Sequence, residues 1–156
     1  MRLTKFTDYS LRVLLYAATL KPKQLTTIEE TSNLYGISRA HLKKVVLGLI
    51  HEGFLEGVRG RSGGFRLAMP AHEINLGQLL RKTEPDFALA ECFLPENACR
   101  VTKGCRLPIV LNLALSNFLK TFDDFTLADV ALAPRYFGLP EQESYPQRGP
   151  NLSDSL

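Results

Sequence analysis

The chain has 156 residues, 45% of them hydrophobic and 22% charged, enough for one globular domain with an ordinary core. No run approaches the roughly 18 to 20 consecutive apolar residues that a bilayer span needs, which excludes a transmembrane protein. The net charge of +3 hides an asymmetry: residues 1–83 carry 13 Lys and Arg against 6 Asp and Glu, a net +7, and residues 84–156 carry 6 against 10, a net −4.

The opening residues, Met1-Arg2-Leu3-Thr4-Lys5-Phe6-Thr7-Asp8, lack the apolar run and small-residue cleavage site of a signal peptide, so a cytoplasmic location is expected. A first helix is predicted from Thr7, as cap, with Asp8 in the first turn where the helix dipole favours negative charge. Leu11, Leu14, Leu15 and Ala18 recur at helical spacing, and Lys21-Pro22 ends the helix. A second short helix runs from Thr27, with Ile28, Thr31 and Leu34 inward, and stops at Tyr35-Gly36. Ser38 caps a third, whose Leu42, Val45, Val46, Leu49 and Ile50 form the apolar stripe of a helix packed on one side. Its other face holds Arg39, His41, Lys43, Lys44 and His51.

Gly53 closes the third helix, and Phe54 to Val58 and Phe65 to Leu67 read as two short strands around the basic, glycine-rich tip Arg59-Gly60-Arg61-Ser62-Gly63-Gly64. Ile74, Leu76, Leu79 and Leu80 predict a fourth helix ending before Glu84-Pro85. From Leu107 the apolar positions Val110, Leu111, Ala114, Leu115, Phe118, Leu119 and Phe122 predict a long amphipathic helix. A short helix from Phe125 to Ala133, opened by Thr126 with Asp129 three residues on, follows. The proline-rich remainder from residue 134 is expected to be a largely disordered tail, above all in its last dozen residues.

Two helices joined at a glycine, the second basic in its first turns and followed at once by a hairpin, make a winged helix-turn-helix pattern. The fold class is therefore mainly α with a small two-stranded β wing. Such a domain sets the start of its second helix in the major groove of double-stranded DNA, while Arg and Lys neutralise phosphates and an arginine-bearing wing reaches an adjacent minor groove. The candidate DNA-contacting residues are Thr27, Ser38, Arg39, His41, Lys43 and Lys44 on the helices and Arg59, Gly60, Arg61 and Ser62 on the wing. His41 and His51 read as surface groups or phosphate contacts rather than metal ligands, and His72 has no partner pattern. No set of acid–base groups of the kind an enzyme needs is apparent.

The three cysteines, Cys92, Cys99 and Cys105, are an odd number in one short window, so they form no disulfide framework. Six residues separate the first two and five the last two, unlike the paired spacing of a zinc knuckle or thioredoxin-like site. Thiolates suit an iron–sulfur cluster, whose irons need a fourth protein position that this window lacks. A cluster, free or regulatory thiols, and zinc all remain open on the spacing alone.

Several of these segments, taken together, resemble the winged-helix iron–sulfur regulators of bacteria. They are Leu3-Thr4-Lys5-Phe6-Thr7-Asp8-Tyr9-Ser10-Leu11-Arg12, the turn Tyr35-Gly36-Ile37-Ser38-Arg39, the wing Val58 to Gly64, Gly104-Cys105-Arg106-Leu107, and Phe125-Thr126-Leu127-Ala128-Asp129. The similarity covers residues 1 to about 131 and is closest to the nitric-oxide-sensing repressors of that family. It implies a homodimer paired through the helix from Leu107 to Phe122, bound to a partly palindromic operator. It also implies an iron–sulfur cluster, 2Fe–2S or 4Fe–4S, on Cys92, Cys99 and Cys105, completed by Asp8 of the partner subunit, and control of nitrosative-stress genes. No histidine follows Cys105, which argues against the ligand set of the family's cluster-biogenesis branch. The gap between Cys92 and Cys99 is longer than in the family, which requires a bulge at Pro95 and Asn97. The alternative is a cluster-free winged-helix regulator or a thiol-based redox sensor. The expected organisation is a DNA-binding domain over 1–83, a cluster-binding loop over 84–106, a dimerisation helix and short following helix over 107–133, and the tail over 134–156.

Overall fold

A computed structural model describes residues 2–140. The elements follow the order α1 (Lys5–Ala18), α2 (Ile28–Tyr35), α3 (Arg39–His51), β1 (Leu55–Val58), β2 (Gly64–Leu67), α4 (Leu76–Thr83) and α5 (Leu107–Asp123). Short 3-10 turns occupy Ala71–Glu73, Glu91–Phe93, Ala128–Val130 and Pro134–Phe137.

Helix α1 begins one turn earlier than the sequence predicts. Thr4 is its cap, with a hydroxyl that accepts from the Thr7 N–H at 3.3 Å. Thr7 is fully buried instead, and its hydroxyl donates to Thr83 Oγ1 at 3.0 Å, a partner far away in sequence. The helix also ends at Ala18, before Lys21-Pro22. Helix α2 opens on a reciprocal capping box, in which Thr27 Oγ1 accepts from Glu30 N–H at 3.1 Å and Glu30 Oε2 accepts from Thr27 N–H at 2.8 Å. Its Thr31 is buried as expected, but Leu34 is exposed. Gly36, at φ 64°, makes the left-handed turn into Ile37 and Ser38, and the Ser38 hydroxyl caps α3 by accepting from His41 N–H.

Strands β1 and β2 pair antiparallel, with Leu55 opposite Leu67 and Val58 opposite Gly64. A third segment joins them, for Thr26 N–H donates to Phe65 C=O at 3.0 Å and Phe65 N–H donates to Thr26 C=O at 2.8 Å. The wing is thus stitched to the residue just before the α2 cap. The core lies between α1, α3, α4 and the inner side of the wing, around Val13, Leu14, Leu42, Leu49, Phe65, Ile74 and Leu79, with Leu127 inserted from beyond α5. Burying each such side chain contributes roughly 1.5–3 kcal/mol.

The last turn of α4 ties the domain together. Arg81 forms a two-pronged pair with Asp123 on α5, Lys82 pairs with Glu52 at the end of α3 at 2.9 Å, Thr83 meets Thr7 of α1, and Glu84 Oε1 accepts from Thr4 N–H at 2.8 Å. Hydrogen bonds from Lys82, and then His51, hold the Glu52 carboxyl below the usual carboxylate range, and Arg81 does the same for Asp123. The helix expected from Phe125 to Ala133 is only the turn Ala128–Val130. Its backbone is committed elsewhere: Phe125 C=O accepts from Leu76 N–H at 3.0 Å and Leu127 N–H donates to Ile74 C=O at 2.8 Å. The cap relation is also reversed, since Asp129 Oδ2 accepts from both the N–H and the hydroxyl of Thr126 at 2.7 Å. The segment expected to begin a disordered tail starts with an ordered turn. Pro134 is buried, and the Phe137 ring lies 5.6 Å from Tyr16 and 6.4 Å from Tyr35. The last dozen residues lie outside the described ones.

The Thr7–Thr83 bond sets a double-substitution test of the brace between α1 and α4. Removing one buried hydroxyl leaves its partner unsatisfied, whereas removing both does not. Thr83→Val is expected to cost about 1–2 kcal/mol in urea unfolding, and Thr7→Val with Thr83→Val less than the sum of the single changes.

Candidate nucleic-acid interface and metal centre

The two helix starts and the wing, which carry the predicted DNA-contacting residues, are tied to one another. Thr27 and Ser38 cap α2 and α3, and the Thr26–Phe65 bridge holds the wing beside the first of these caps. Arg39, His41, Lys43 and Lys44 all emerge from the exposed side of α3. Lys43 and Lys44, with Arg59 and Arg61 on the wing, are exposed and have no ion-pair partner among the described residues. Arg39 differs, since its guanidinium lies 3.2 Å from a Glu29 carboxylate oxygen. The His41 ring sits 6.3 Å from that of Tyr9 on α1. Thr27 is half-buried, and its hydroxyl oxygen accepts in the capping box, which leaves its proton and a second lone pair available.

The wing tip is shaped by its glycines and presents Arg59, Gly60, Arg61 and Ser62. Gly63 N–H donates to Gly60 C=O at 3.0 Å, and a Cβ at Gly63 would stand 2.4 Å from the Val58 carbonyl oxygen. No side chain fits there without moving backbone. The sequence did not reveal that Glu29 and Tyr9 meet side chains of this surface, or that the buried Thr26 supports it from beneath. Only Thr26 left a signal, a β-branched residue directly before a capping box.

The three thiols lie on the loop between α4 and α5, none in a disulfide. Cys99 is exposed, and Cys92 and Cys105 are partly so. The segment holding Pro95 and Asn97 contains a hydrogen-bonded turn, in which Asn97 N–H donates to Leu94 C=O at 3.2 Å and Asn97 Oδ1 accepts from Cys99 N–H at 3.0 Å. Thr102 clamps the other side, its hydroxyl donating to Cys99 C=O at 2.8 Å. Among the described residues no three His, Cys, Asp or Glu side chains converge as a metal site. The donor set itself is three accessible thiols on one loop, which is chemistry for a thiophilic metal such as iron or zinc.

Asp8 stands apart on α1, its carboxylate accepting from Arg12 Nε at 3.0 Å and Nη2 at 2.9 Å. The Asp8 hydrogen bonds raise the Arg12 pKa. Tyr35 donates its hydroxyl to the Arg12 carbonyl at 2.9 Å, and burial pushes that phenol up to about 12, so it keeps its proton. Asp8, Arg12, Tyr35 and Gly36 line one open depression beside the helix-turn-helix turn.

This geometry defines a winged helix-turn-helix transcriptional regulator. The chain belongs to the Rrf2 family, described as iron-dependent transcriptional regulators, whose model matches residues 3–133. It is 45% identical over 131 residues to the HTH-type transcriptional regulator NsrR of Bacillus subtilis, covering 83% of this chain and 90% of that protein. The NsrR of Bacillus licheniformis is also 45% identical, over 133 residues, with 85% and 93% covered. Among solved structures, the cysteine regulator CymR of B. subtilis superposes with a TM-score of 0.63 at 22% identity, covering 84% of this chain and 96% of that one. IscR of T. potens gives 0.64 at 21%, with 83% and 85% covered. The relatives are named as regulators, and the chain is a DNA-binding regulator rather than an enzyme. No helix among the described residues is long and apolar enough to cross a membrane.

Gly63→Ala checks the wing. The backbone clash predicts a displaced tip and weaker DNA binding by several-fold in fluorescence anisotropy, with the thermal midpoint little changed because the tip is outside the core.

Proposed function

We propose that the chain is a cytoplasmic, homodimeric repressor of nitrosative-stress genes that carries an iron–sulfur cluster on Cys92, Cys99 and Cys105, completed by Asp8 of the partner subunit, and leaves its operator on exposure to nitric oxide. The observation that carries the reading is the position of the three free thiols. They sit on one loop that leaves α4 at the turn clamping α1, α3 and α5, in a chain 45% identical to regulators named NsrR. Bound there, the cluster would supply iron able to bind nitric oxide.

The residues of the chain account for the rest. Seven residues separate Glu84 of the α4 clamp from Cys92, so the loop leaves from a root that it shares with the recognition helix through Lys82 and Glu52. Asp8 is held by an exposed pair with Arg12, worth at most about 1 kcal/mol, so its carboxylate changes partner at little cost. A shift in affinity of a few kcal/mol suffices for release, since 1.4 kcal/mol is tenfold.

Homodimerisation is supported by α5. None of its 17 residues is buried, and Leu107, Ile109, Val110 and Leu113 are each between 55% and 66% exposed. An apolar face of that extent on a 17-residue helix calls for a cover, and a second α5 supplies a matching one. Val110→Glu with Leu113→Glu is expected to yield a folded monomer in sedimentation velocity, with operator binding weakened at least tenfold. A dimer of unchanged stability refutes this face.

The reading as a whole is tested with anaerobically purified protein, by iron and sulfide analysis, visible absorbance and DNA binding with and without nitric oxide. Cluster-bearing protein that loses its operator on nitric oxide is the expected result, with Cys99→Ala lacking iron and Asp8→Ala altered in cluster retention or in DNA affinity. Full, nitric-oxide-sensitive binding by both variants overturns the ligand scheme. Colourless, iron-free wild type that binds DNA irrespective of nitric oxide favours the thiol-based or cluster-free regulator.

A further inference from the structure

The DNA-facing surface is basic, yet it holds one carboxylate with no part in capping. Glu30 closes the α2 capping box and also accepts from the Thr26 hydroxyl at 3.0 Å, so its presence is explained locally. Glu29, one residue earlier, reaches across the helix-turn-helix turn to Arg39, the first residue of the recognition helix, at 3.2 Å. Of the basic residues assigned to the DNA face, Arg39 alone has a carboxylate partner among the described residues.

Stability does not account for this pair. The two side chains are 67% and 62% exposed, and ion pairs so placed contribute between nothing and about 1 kcal/mol. Affinity for phosphate does not account for it either, because a carboxylate beside the backbone of DNA repels it and weakens binding of every sequence alike. What the pair does provide is orientation. Arginine loses rotamer freedom when its guanidinium docks, and a partner that fixes the side chain beforehand removes part of that loss. The contact uses one terminal nitrogen of Arg39, leaving other guanidinium N–H groups to face a guanine edge in the major groove.

We propose that Glu29 is a positioning and specificity-determining residue, which orients Arg39 for reading one base pair in each half-site while its charge lowers affinity for DNA of every sequence. The proposal rests on the DNA-binding reading above. The orientation raises the ratio of specific to non-specific affinity, since discrimination is a difference of affinities, whereas the charge lowers both affinities together.

The test uses the full chain, purified anaerobically, and a random-sequence DNA duplex pool. Wild type selects its preferred duplex, and affinities for that duplex and for the unselected pool are then measured for wild type, Glu29→Gln, Glu29→Asp and Arg39→Ala, together with thermal midpoints. Glu29→Gln is expected to bind the unselected pool several-fold more tightly while its ratio of selected to unselected affinity falls about tenfold, the scale of one base-pair contact. Selection repeated with Glu29→Gln and with Arg39→Ala should lose preference at the same base pair. Glu29→Asp keeps the charge at the α2 start and shortens the reach, so it should lose the ratio without gaining affinity for the pool. A Glu29→Gln ratio within twofold of wild type, or loss of preference at different base pairs in the two selections, overturns the proposal and leaves DNA binding intact. A wild-type chain that selects no sequence overturns the DNA-binding reading itself, and the proposal with it.

Discussion

Four consecutive side chains, Arg81, Lys82, Thr83 and Glu84, leave the end of α4 toward three different elements. A helix turns through about 100° per residue, so successive side chains point to different sides of the axis and one turn can touch everything packed around it. No single link is strong: the two ion pairs are exposed, and the threonine bond is worth about 1 kcal/mol. Their value is geometric. They fix the relative positions of the first helix, the recognition helix and the apolar helix α5 at the point where the chain departs into the cysteine loop.

The DNA-binding face depends on that frame and on short-range capping. The boxes and caps at Thr27, Glu30 and Ser38 set where α2 and α3 begin, and Gly36 sets the angle between them. The bridge from Thr26 to Phe65 then carries the wing, so a two-stranded hairpin that would be marginal alone gains a third partner and a buried aromatic anchor. Charge is distributed on this scaffold rather than created by it: among the described residues Lys43, Lys44, Arg59 and Arg61 have no carboxylate partner, and Arg39 does.

Much of the fold was legible because it is written at short range. The recognition helix was found whole, since Ser38, the stripe from Leu42 to Ile50 and Gly53 are consistent signals within one stretch of chain. The long helix from Leu107 was found by the same periodicity. Misreadings arose where a residue with good local chemistry had a better distant partner. Thr7 has the type and place of a cap, but Thr4 takes that role and Thr7 turns to Thr83. Phe125 to Ala133 has helical composition, but its backbone bonds to Ile74 and Leu76 prevent it from winding. Leu34, spaced to face inward, is exposed because the short α2 packs chiefly on α3 through other positions. At the candidate metal centre the thiols and their loop were legible, while the Arg12 partner of Asp8 was not singled out although it lies one helical turn away.

By itself, the sequence determined the five α-helices and the two strands, the basic half, the wing tip and the set of three thiols, because caps, periodicity and residue chemistry act between neighbours in the chain. The tertiary structure alone decided which residues meet: Thr7 with Thr83, Lys82 with Glu52, Thr26 with Phe65, and Glu29 with Arg39 across the turn. These contacts join residues whose spacing in sequence carries no pattern, and they exist only once packing has brought separate helices and strands within hydrogen-bonding distance.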